Sequence, residues 1–209
     1  MAKYRENLII AIPALNEELQ IQNTIDHLKG FGEIIVFDNN SHDKTCEIVL
    51  ENKININRVI NRGYENVVFK IINFFLYSEF EYLCIIDGDG EVGLNEINDA
   101  LTCIENNSEL DGILGKRNRV TRISEKIVNF LFRNIYKIDD IFCGFKILKK
   151  SGISINLNPN TFGTSIIKKD GKFKNFLVEL NSREDSRLDS DPLIGLKILY
   201  HGIKGLKFW

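Results

Sequence analysis

The chain has 209 residues, of which 27% are charged and 44% apolar, and its net charge is −2. That length supports one good-sized core, that balance excludes a disordered or fibrous chain, and the missing basic excess argues against a general nucleic-acid binder. Cys46, Cys84, Cys103 and Cys143 are widely spaced with no Cys-x-x-Cys pair, so they read as reduced thiols of a cytoplasmic protein.

Met1 to Asn7 is charged and runs straight into an apolar stretch, which is not the pattern of a signal peptide. Leu8 to Ile12 reads as a buried parallel strand, ended at Pro13 where the backbone donor is missing. A helix is expected next, with Asn16 as its cap, Glu17 and Glu18 at its positive end, and Ile21, Ile25 and Leu28 as its buried stripe before Gly30 and Gly32. Ile34 to Phe37 is a second strand, followed by Asp38, Asn39, Asn40 and Ser41, with Asp43 and Lys44 opening the next helix. Asp38 stands out, because an acid just beyond a buried strand can accept hydrogen bonds from a nucleobase edge or a ribose hydroxyl. A third strand is expected at Arg58 to Ile60. Beyond it, in Asn61-Arg62-Gly63-Tyr64, Arg62 suits a phosphate or is a solvated surface arginine.

A helix over Val67 to Phe80 leads to Tyr82 to Ile86, an apolar run that ends in Asp87-Gly88-Asp89-Gly90-Glu91. At the carboxyl end of a parallel strand such acids face the crevice where α/β proteins place their ligands. Crowded carboxylates resist joint ionisation unless a cation lies among them, and an all-oxygen set suits Mg²⁺ or Mn²⁺. An acidic turn closing the strand is the simpler alternative. Phe69 to Tyr77, the most apolar stretch, is short and interrupted by Lys70 and Asn73, so no membrane span is expected.

A helix near Leu94 to Glu105 and a strand at Gly112 to Leu114 precede a basic cluster, Lys116, Arg117, Arg119 and Arg122. With the acids opposite, such a cluster can hold a diphosphate from its other side; Lys116 and Arg119 read individually as solvated. Ser124 to Tyr136 is expected as a helix whose apolar face is Ile127, Phe130, Leu131 and Ile135. In Asp139-Asp140-Ile141-Phe142-Cys143-Gly144-Phe145-Lys146, leading to a strand up to Leu148, Asp140 is either a half-buried proton acceptor with a raised pKa or the cap of a turn. Asn156 to Thr164 reads as a loop, Phe176 to Leu180 as a strand and Ser182 to Arg187 as a charged loop. Pro192 to Trp209 has amphipathic spacing, with Lys197, His201 and Lys204 opposite Leu199, Ile203 and Leu206. Docking on the domain is one reading of that helix and contact with a membrane surface through Phe208 and Trp209 is the other. His27 and His42 lack a third ligand at zinc spacing.

The strand and helix alternation predicts an α/β fold, a mostly parallel central sheet covered by helices on both faces. Ile12-Pro13-Ala14-Leu15-Asn16-Glu17-Glu18, Phe37-Asp38-Asn39-Asn40-Ser41-His42-Asp43-Lys44-Thr45 and Asp87-Gly88-Asp89 together resemble family 2 glycosyltransferases of the GT-A, Rossmann-like fold, most of all the polyprenyl-phosphate mannosyl- and glucosyltransferases. The resemblance covers nearly the whole chain and implies a single domain over 1–209, with a nucleotide-sugar half at 1–115 and an acceptor half at 116–209. It implies that Pro13, Leu15, Glu17, Asp38 and Asn39 line the nucleoside pocket; Asn61, Arg62 and Gly88 are further candidates for binding the donor. Asp87 and Asp89 would hold the cation, with Glu91 as a third ligand. Gly115-Lys116-Arg117 resembles a Gly-Ser-Arg motif, Asp140-Ile141-Phe142-Cys143-Gly144-Phe145-Lys146 an Asp-x-x-Ser-Gly-Phe-Arg motif, and Arg183 with Ser186-Arg187-Leu188 a late phosphate-binding segment.

The expected activity is metal-dependent, inverting transfer of a hexose from a nucleoside diphosphate sugar to polyprenyl phosphate or a saccharide hydroxyl. Arg117, Arg183 and Arg187 would meet phosphate groups, and Asp140 would take a proton from a hydroxyl acceptor or position an ionised one. The expected setting is cell-envelope polysaccharide or glycolipid synthesis in the cytoplasm, with peripheral contact at the inner face of the membrane. The rivals are a non-catalytic nucleotide-sugar-binding module and a sugar nucleotidyltransferase; the latter needs a glycine-rich phosphate loop after the first strand, which Pro13-Ala14-Leu15-Asn16-Glu17 is not.

Overall fold

The computed structural model describes residues 5–60, 63–88, 92–120, 122–154, 161, 164–179 and 193–206. Seven strands form one sheet: β1 (Leu8–Ala14), β2 (Glu33–Asp38), β3 (Asn55–Arg58), β4 (Tyr82–Ile85), β5 (Gly112–Arg117), β6 (Lys146–Lys149) and β7 (Phe173–Val178). The described residues also form six α-helices: α1 (Ile21–Leu28), α2 (Thr45–Glu51), α3 (Tyr64–Tyr77), α4 (Leu94–Asn106), α5 (Ile123–Tyr136) and α6 (Ile194–Leu206). The strand order is β3-β2-β1-β4-β6-β5-β7, and β6 alone runs antiparallel to its neighbours. The sheet is therefore mostly parallel, as the sequence implies.

Alternation along β1 places its side chains in two cores. Leu8, Ile10, Ile12 and Ala14 pack with Ile21, Ile25 and Leu28 of α1 and Ile97, Leu101 and Ile104 of α4. Ile9 and Ala11 pack on the other face with Val67, Ile71, Ile72 and Phe75 of α3 and Val128 and Phe132 of α5. Helices thus cover both faces. Because the sheet is buried on both sides, its central strands read as unbroken apolar runs.

Several boundaries differ from expectation. Pro13 does not end β1; it pairs with Phe37, and Ala14 pairs with Asp38. Backbone groups of successive strand residues point to opposite sides. Ala11 accepts from Ile86 N on the β4 side, and Ala14 accepts from Asn39 N on the β2 side. Pro13 therefore turns its missing donor towards β4, whose pairing with β1 stops at Ala11, and no ladder bond is lost. β3 lies at Asn55–Arg58, not Arg58 to Ile60; Val59 is buried beyond the strand and Ile60 is 93% exposed. α3 begins and ends about one turn earlier than the apolar run implies, and β7 begins at Phe173.

Asn16 is not a helix cap. Its φ of 51° puts it in the left-handed region that Asn tolerates, and α1 starts only at Ile21, after Glu17 O has accepted from Gln20 N and Ile21 N. The face assigned to α5 is also reversed. Its buried residues are Ser124, Glu125, Val128, Asn129 and Phe132, while Ile127, Phe130 and Ile135 are exposed and Leu131 is intermediate. Glu125 and Asn129 are drawn inward by charged partners on β5 and the segment before β6, and that rotation leaves the apolar stripe outside.

Candidate active site

The carboxyl ends of β1, β2, β4 and β5, with the start of antiparallel β6, open on the same edge of the sheet. The loops after β1 and β2 are stapled together there. Asn16 N donates to Ser41 Oγ (2.9 Å), His42 N to Asn16 Oδ1 (2.8 Å), Glu17 N to Thr45 Oγ1 (2.7 Å) and Glu18 N to Asp43 Oδ2 (3.1 Å). The polar residues that look like turn formers are thus a scaffold holding Leu15 and Glu17 beside Asp38. Asn39 Oδ1 accepts from Gly63 N at 3.0 Å, which fastens the start of α3 to the same edge.

Asp38 is 1% exposed. Its Oδ1 accepts from Ser41 N at 3.1 Å, whereas Oδ2 has no hydrogen-bond partner and lies 3.8 Å from Arg58 Nε, beside Cys46. A buried carboxylate oxygen left unsatisfied is costly in an apo protein. It is the natural acceptor for a donor group on a ligand.

After β4 the chain passes Ile86 and Asp87 to Gly88. Thr24 Oγ1 of α1 donates to Gly88 O at 3.1 Å. A Cβ on Gly88 would stand 3.3 Å from Ile12 Cγ2, 3.4 Å from Pro13 O and 3.5 Å from Glu17 Cγ, so a bare backbone lets the β4 loop approach the β1 loop. Asp87 lies against Gly144, where a Cβ would fall 1.9 Å from its Oδ2. A shallow cleft lined by Thr24, His27, Ile86, Asp87 and Val92 adjoins it. The partly buried Asp87, with only oxygen donors and a glycine-made recess for its carboxylate, fits a hard divalent cation. Asp89 and Glu91 lie outside the described residues, as do Asn61, Arg62, Arg183 and Arg187; no cluster of three metal-ligating side chains occurs among the described residues.

Arg117, at the end of β5, joins Asp140 in a bidentate pair, with Nε to Oδ2 at 2.6 Å and Nη2 to Oδ1 at 2.9 Å. Nη2 also reaches Glu125 Oε2 at 2.7 Å, and Arg122 Nη1 donates to Glu125 Oε1 at 2.9 Å. Asn129 Nδ2 donates to Asp140 Oδ1 at 2.9 Å, while its Oδ1 accepts from Ile141 N at 3.1 Å. Asp140 is thus fully buried rather than half-buried, and its pKa moves opposite to expectation. Burial pushes the carboxyl up, but the hydrogen bonds and charge of Arg117, together with Asn129, hold it below the ordinary carboxylate range. Burial above all lowers Lys146, which donates to Cys143 O and faces the charges of Asp140 and Asp87. Lys116 is not simply solvated, since its Nζ pairs with Asp139 Oδ2 at 2.8 Å; Arg119 is exposed.

Glu125, Asn129 and Lys146 were not legible as site residues. Only the Arg122–Glu125 spacing of three residues carried a local signal; Asn129 meets Asp140 and Ile141 N, which are remote in the chain.

The model of the family described as "Glycosyl transferase family 2" matches residues 9–154, well over half of the chain. Among solved structures, glucosyl-3-phosphoglycerate synthase from Mycobacterium tuberculosis in complex with phosphoglyceric acid superposes with a TM-score of 0.73 at 12% identity, over 98% of this chain and 81% of that one. The same enzyme with Mn²⁺, UDP and glucosyl-3-phosphoglycerate gives 0.72 at 13%, over the same shares of the two chains. These likenesses identify the fold as GT-A. An uncharacterized protein of Methanocaldococcus jannaschii is 31% identical over 90 residues, which is 42% of this chain and 37% of that protein. The match therefore spans well under half of that relative's length.

Proposed function

The chain belongs to glycosyl transferase family 2, and on that premise we propose that it moves a hexose from a nucleoside diphosphate sugar to an acceptor oxygen, with inversion. The observation that carries this reading is the convergence of Asp38, with its unsatisfied buried oxygen, and Asp87 on one edge of the sheet. Asp38 accepts a hydrogen bond from the nucleoside; Pro13, Leu15, Glu17 and Asn39 complete that pocket, and Asn61 and Arg62 serve the donor beyond it, Arg62 at a phosphate. Gly88 lets the diphosphate approach the backbone. Asp87, Asp89 and Glu91 would hold Mg²⁺ or Mn²⁺, which when bound neutralises charge on the departing diphosphate. Arg183 and Arg187 add charge-assisted hydrogen bonds to phosphate oxygens. Residues 1–115 serve the donor and 116–209 the acceptor.

The pairing of Asp140 bears on the choice between the two acceptor classes. Both of its oxygens already accept from Arg117 and Asn129, and a carboxylate held below its ordinary pKa is a poor proton acceptor. That supports an acceptor that arrives ionised, such as polyprenyl phosphate, over a saccharide hydroxyl. Asp140 then acts by holding Arg117 in place. The M. tuberculosis synthase, crystallised with Mn²⁺, UDP-glucose and phosphoglyceric acid, offers a parallel in donor, cation and anionic acceptor. Peripheral membrane contact through α6 accords with a lipid acceptor; no helix among the described residues is long and apolar enough to cross a bilayer.

A thermal-shift screen of UDP-, GDP- and CDP-sugars with and without Mn²⁺ tests the donor reading, because a ligand bound only by the native state raises Tm. One nucleotide sugar is expected to stabilise the chain only with Mn²⁺ and to be consumed when polyprenyl phosphate is added. Binding without consumption would favour a non-catalytic module.

A further inference from the structure

Helix α5 presents apolar residues outward. Ile123, Ile127 and Phe130 are 74%, 44% and 64% exposed, and their spacing of four and three residues places them on one side of the helix. Helix α6 packs beside it through glycines: a Cβ on Gly195 would lie 3.7 Å from Ser124 Oγ, and one on Gly202 only 2.9 Å from both methyls of Val128. It too keeps an apolar stripe at the surface, with Leu196, Tyr200 and Ile203 at 67%, 65% and 43%. Two neighbouring helices that both leave such stripes uncovered mark an interaction surface.

Among the described residues of the two helices, the exposed charges are of one sign. α6 carries Lys197 and Lys204 and no acid. α5 carries Lys126, and its single acid, Glu125, is 4% exposed and bound by Arg117 and Arg122. Apolar side chains bordered by lysines suit the boundary of an anionic bilayer, where the apolar groups enter the acyl region and the ammonium groups meet lipid phosphates. A second copy of the chain fits less well, because two-fold pairing of this face would set its cations against themselves. We propose that the α5–α6 face docks the protein peripherally on an anionic lipid surface. The N-terminus of α5 adjoins the Arg117–Glu125–Arg122 cluster, so docking sets the crevice at the level of the head groups. Only that last consequence rests on the proposed lipid acceptor; adsorption itself requires neither donor nor cation.

Vesicle flotation of the full chain without nucleotide tests this, using phosphatidylcholine vesicles and mixed phosphatidylcholine–phosphatidylglycerol vesicles. The chain is expected to float with the mixed vesicles alone and to be released by high salt. Lys126→Glu and Lys197→Glu should each weaken partitioning about fivefold or more, and Phe130→Gln combined with Tyr200→Gln should abolish it. Thermal stability should be unchanged in all of these variants. Failure to float with mixed vesicles, or equal flotation of wild type and variants, would overturn the proposal. So would a dimer in sedimentation equilibrium that Phe130→Gln dissociates, which would assign the face to a second copy. A nucleotide-sugar thermal shift, measured in parallel, reports on the donor site independently of either outcome.

Discussion

Arg117→Ala removes one guanidinium from between two buried carboxylates. Asp140 and Glu125 are 2% and 4% exposed, and Arg117 contributes both bonds of the bidentate pair to the first and one bond to the second. Arg122 still faces Glu125 and Asn129 still faces Asp140, but Asp140 then has no cation in hydrogen-bond contact. Leaving a buried charge uncompensated costs about 3–5 kcal/mol, which in a chain of this size lowers Tm by roughly 6–20 °C. The pH dependence gives the sharper test. In the wild type the folded pKa of Asp140 lies below its unfolded value, so its pairing contributes stability above about pH 4 and loses it as pH falls through the folded pKa. In Arg117→Ala burial dominates and raises the folded pKa, so the penalty is full at neutral pH and is relieved as the carboxyl takes up a proton. Urea denaturation of both chains from neutral pH down to about pH 4 should show a wide gap that closes on acidification. A variant as stable as wild type at neutral pH, or a gap that stays constant with pH, would refute the buried-pair argument.

Gly144→Ala puts a methyl 1.9 Å from Asp87 Oδ2 and 2.5 Å from its Cγ; the short side chain must turn away, so Mn²⁺-dependent nucleotide-sugar affinity by calorimetry should fall about 10- to 100-fold while Tm changes little. Asp38→Asn keeps an acceptor for Ser41 N and gives up no hydrogen bond at Oδ2, only the 3.8 Å approach to the exposed Arg58, so the fold should survive while nucleotide affinity drops about 10- to 100-fold, the worth of a charge-assisted hydrogen bond. Burial pushes the Cys84 and Cys143 thiols up to about 12 and about 11, whereas Cys103 is partly exposed with Lys174 Nζ 3.2 Å from its sulfur. Mass spectrometry after brief treatment with a thiol reagent should find Cys103 labelled first, and equal labelling of Cys84 would contradict the packing around β4.

What could be read from residues alone follows burial. β1, β2 and β4 are covered on both faces, and their apolar runs announce them. β3 lies at the edge of the sheet, where Asn55, Asn57 and Arg58 need no apolar partner, so its pattern is too weak to place. α5 misleads for the opposite reason: charge pairing, not apolarity, decides which side goes in, and its apolar residues serve a surface. Asp38 and Asp87 stand out in the sequence as candidates because each acid closes a buried strand, where a carboxylate is costly to desolvate unless something binds it, and the fold places both at one edge of the sheet. Glu125 and Asn129 do not stand out, because their partners come from β5 and from the segment before β6, which only the folded chain brings together. Asp140 was legible as a residue and misread in its ionisation, since nothing in the order of residues shows Arg117 closing on both of its oxygens.

The central claim is that the acids beyond β4 seat a divalent cation against a nucleoside diphosphate. Crystals soaked with Mn²⁺ and UDP-glucose, measured at the manganese absorption edge, test it most directly. One anomalous peak is expected, in direct coordination with the Asp87 carboxylate and a diphosphate oxygen. Diphosphate bound with no peak there, and Asp87 turned instead towards Lys146, would contradict it.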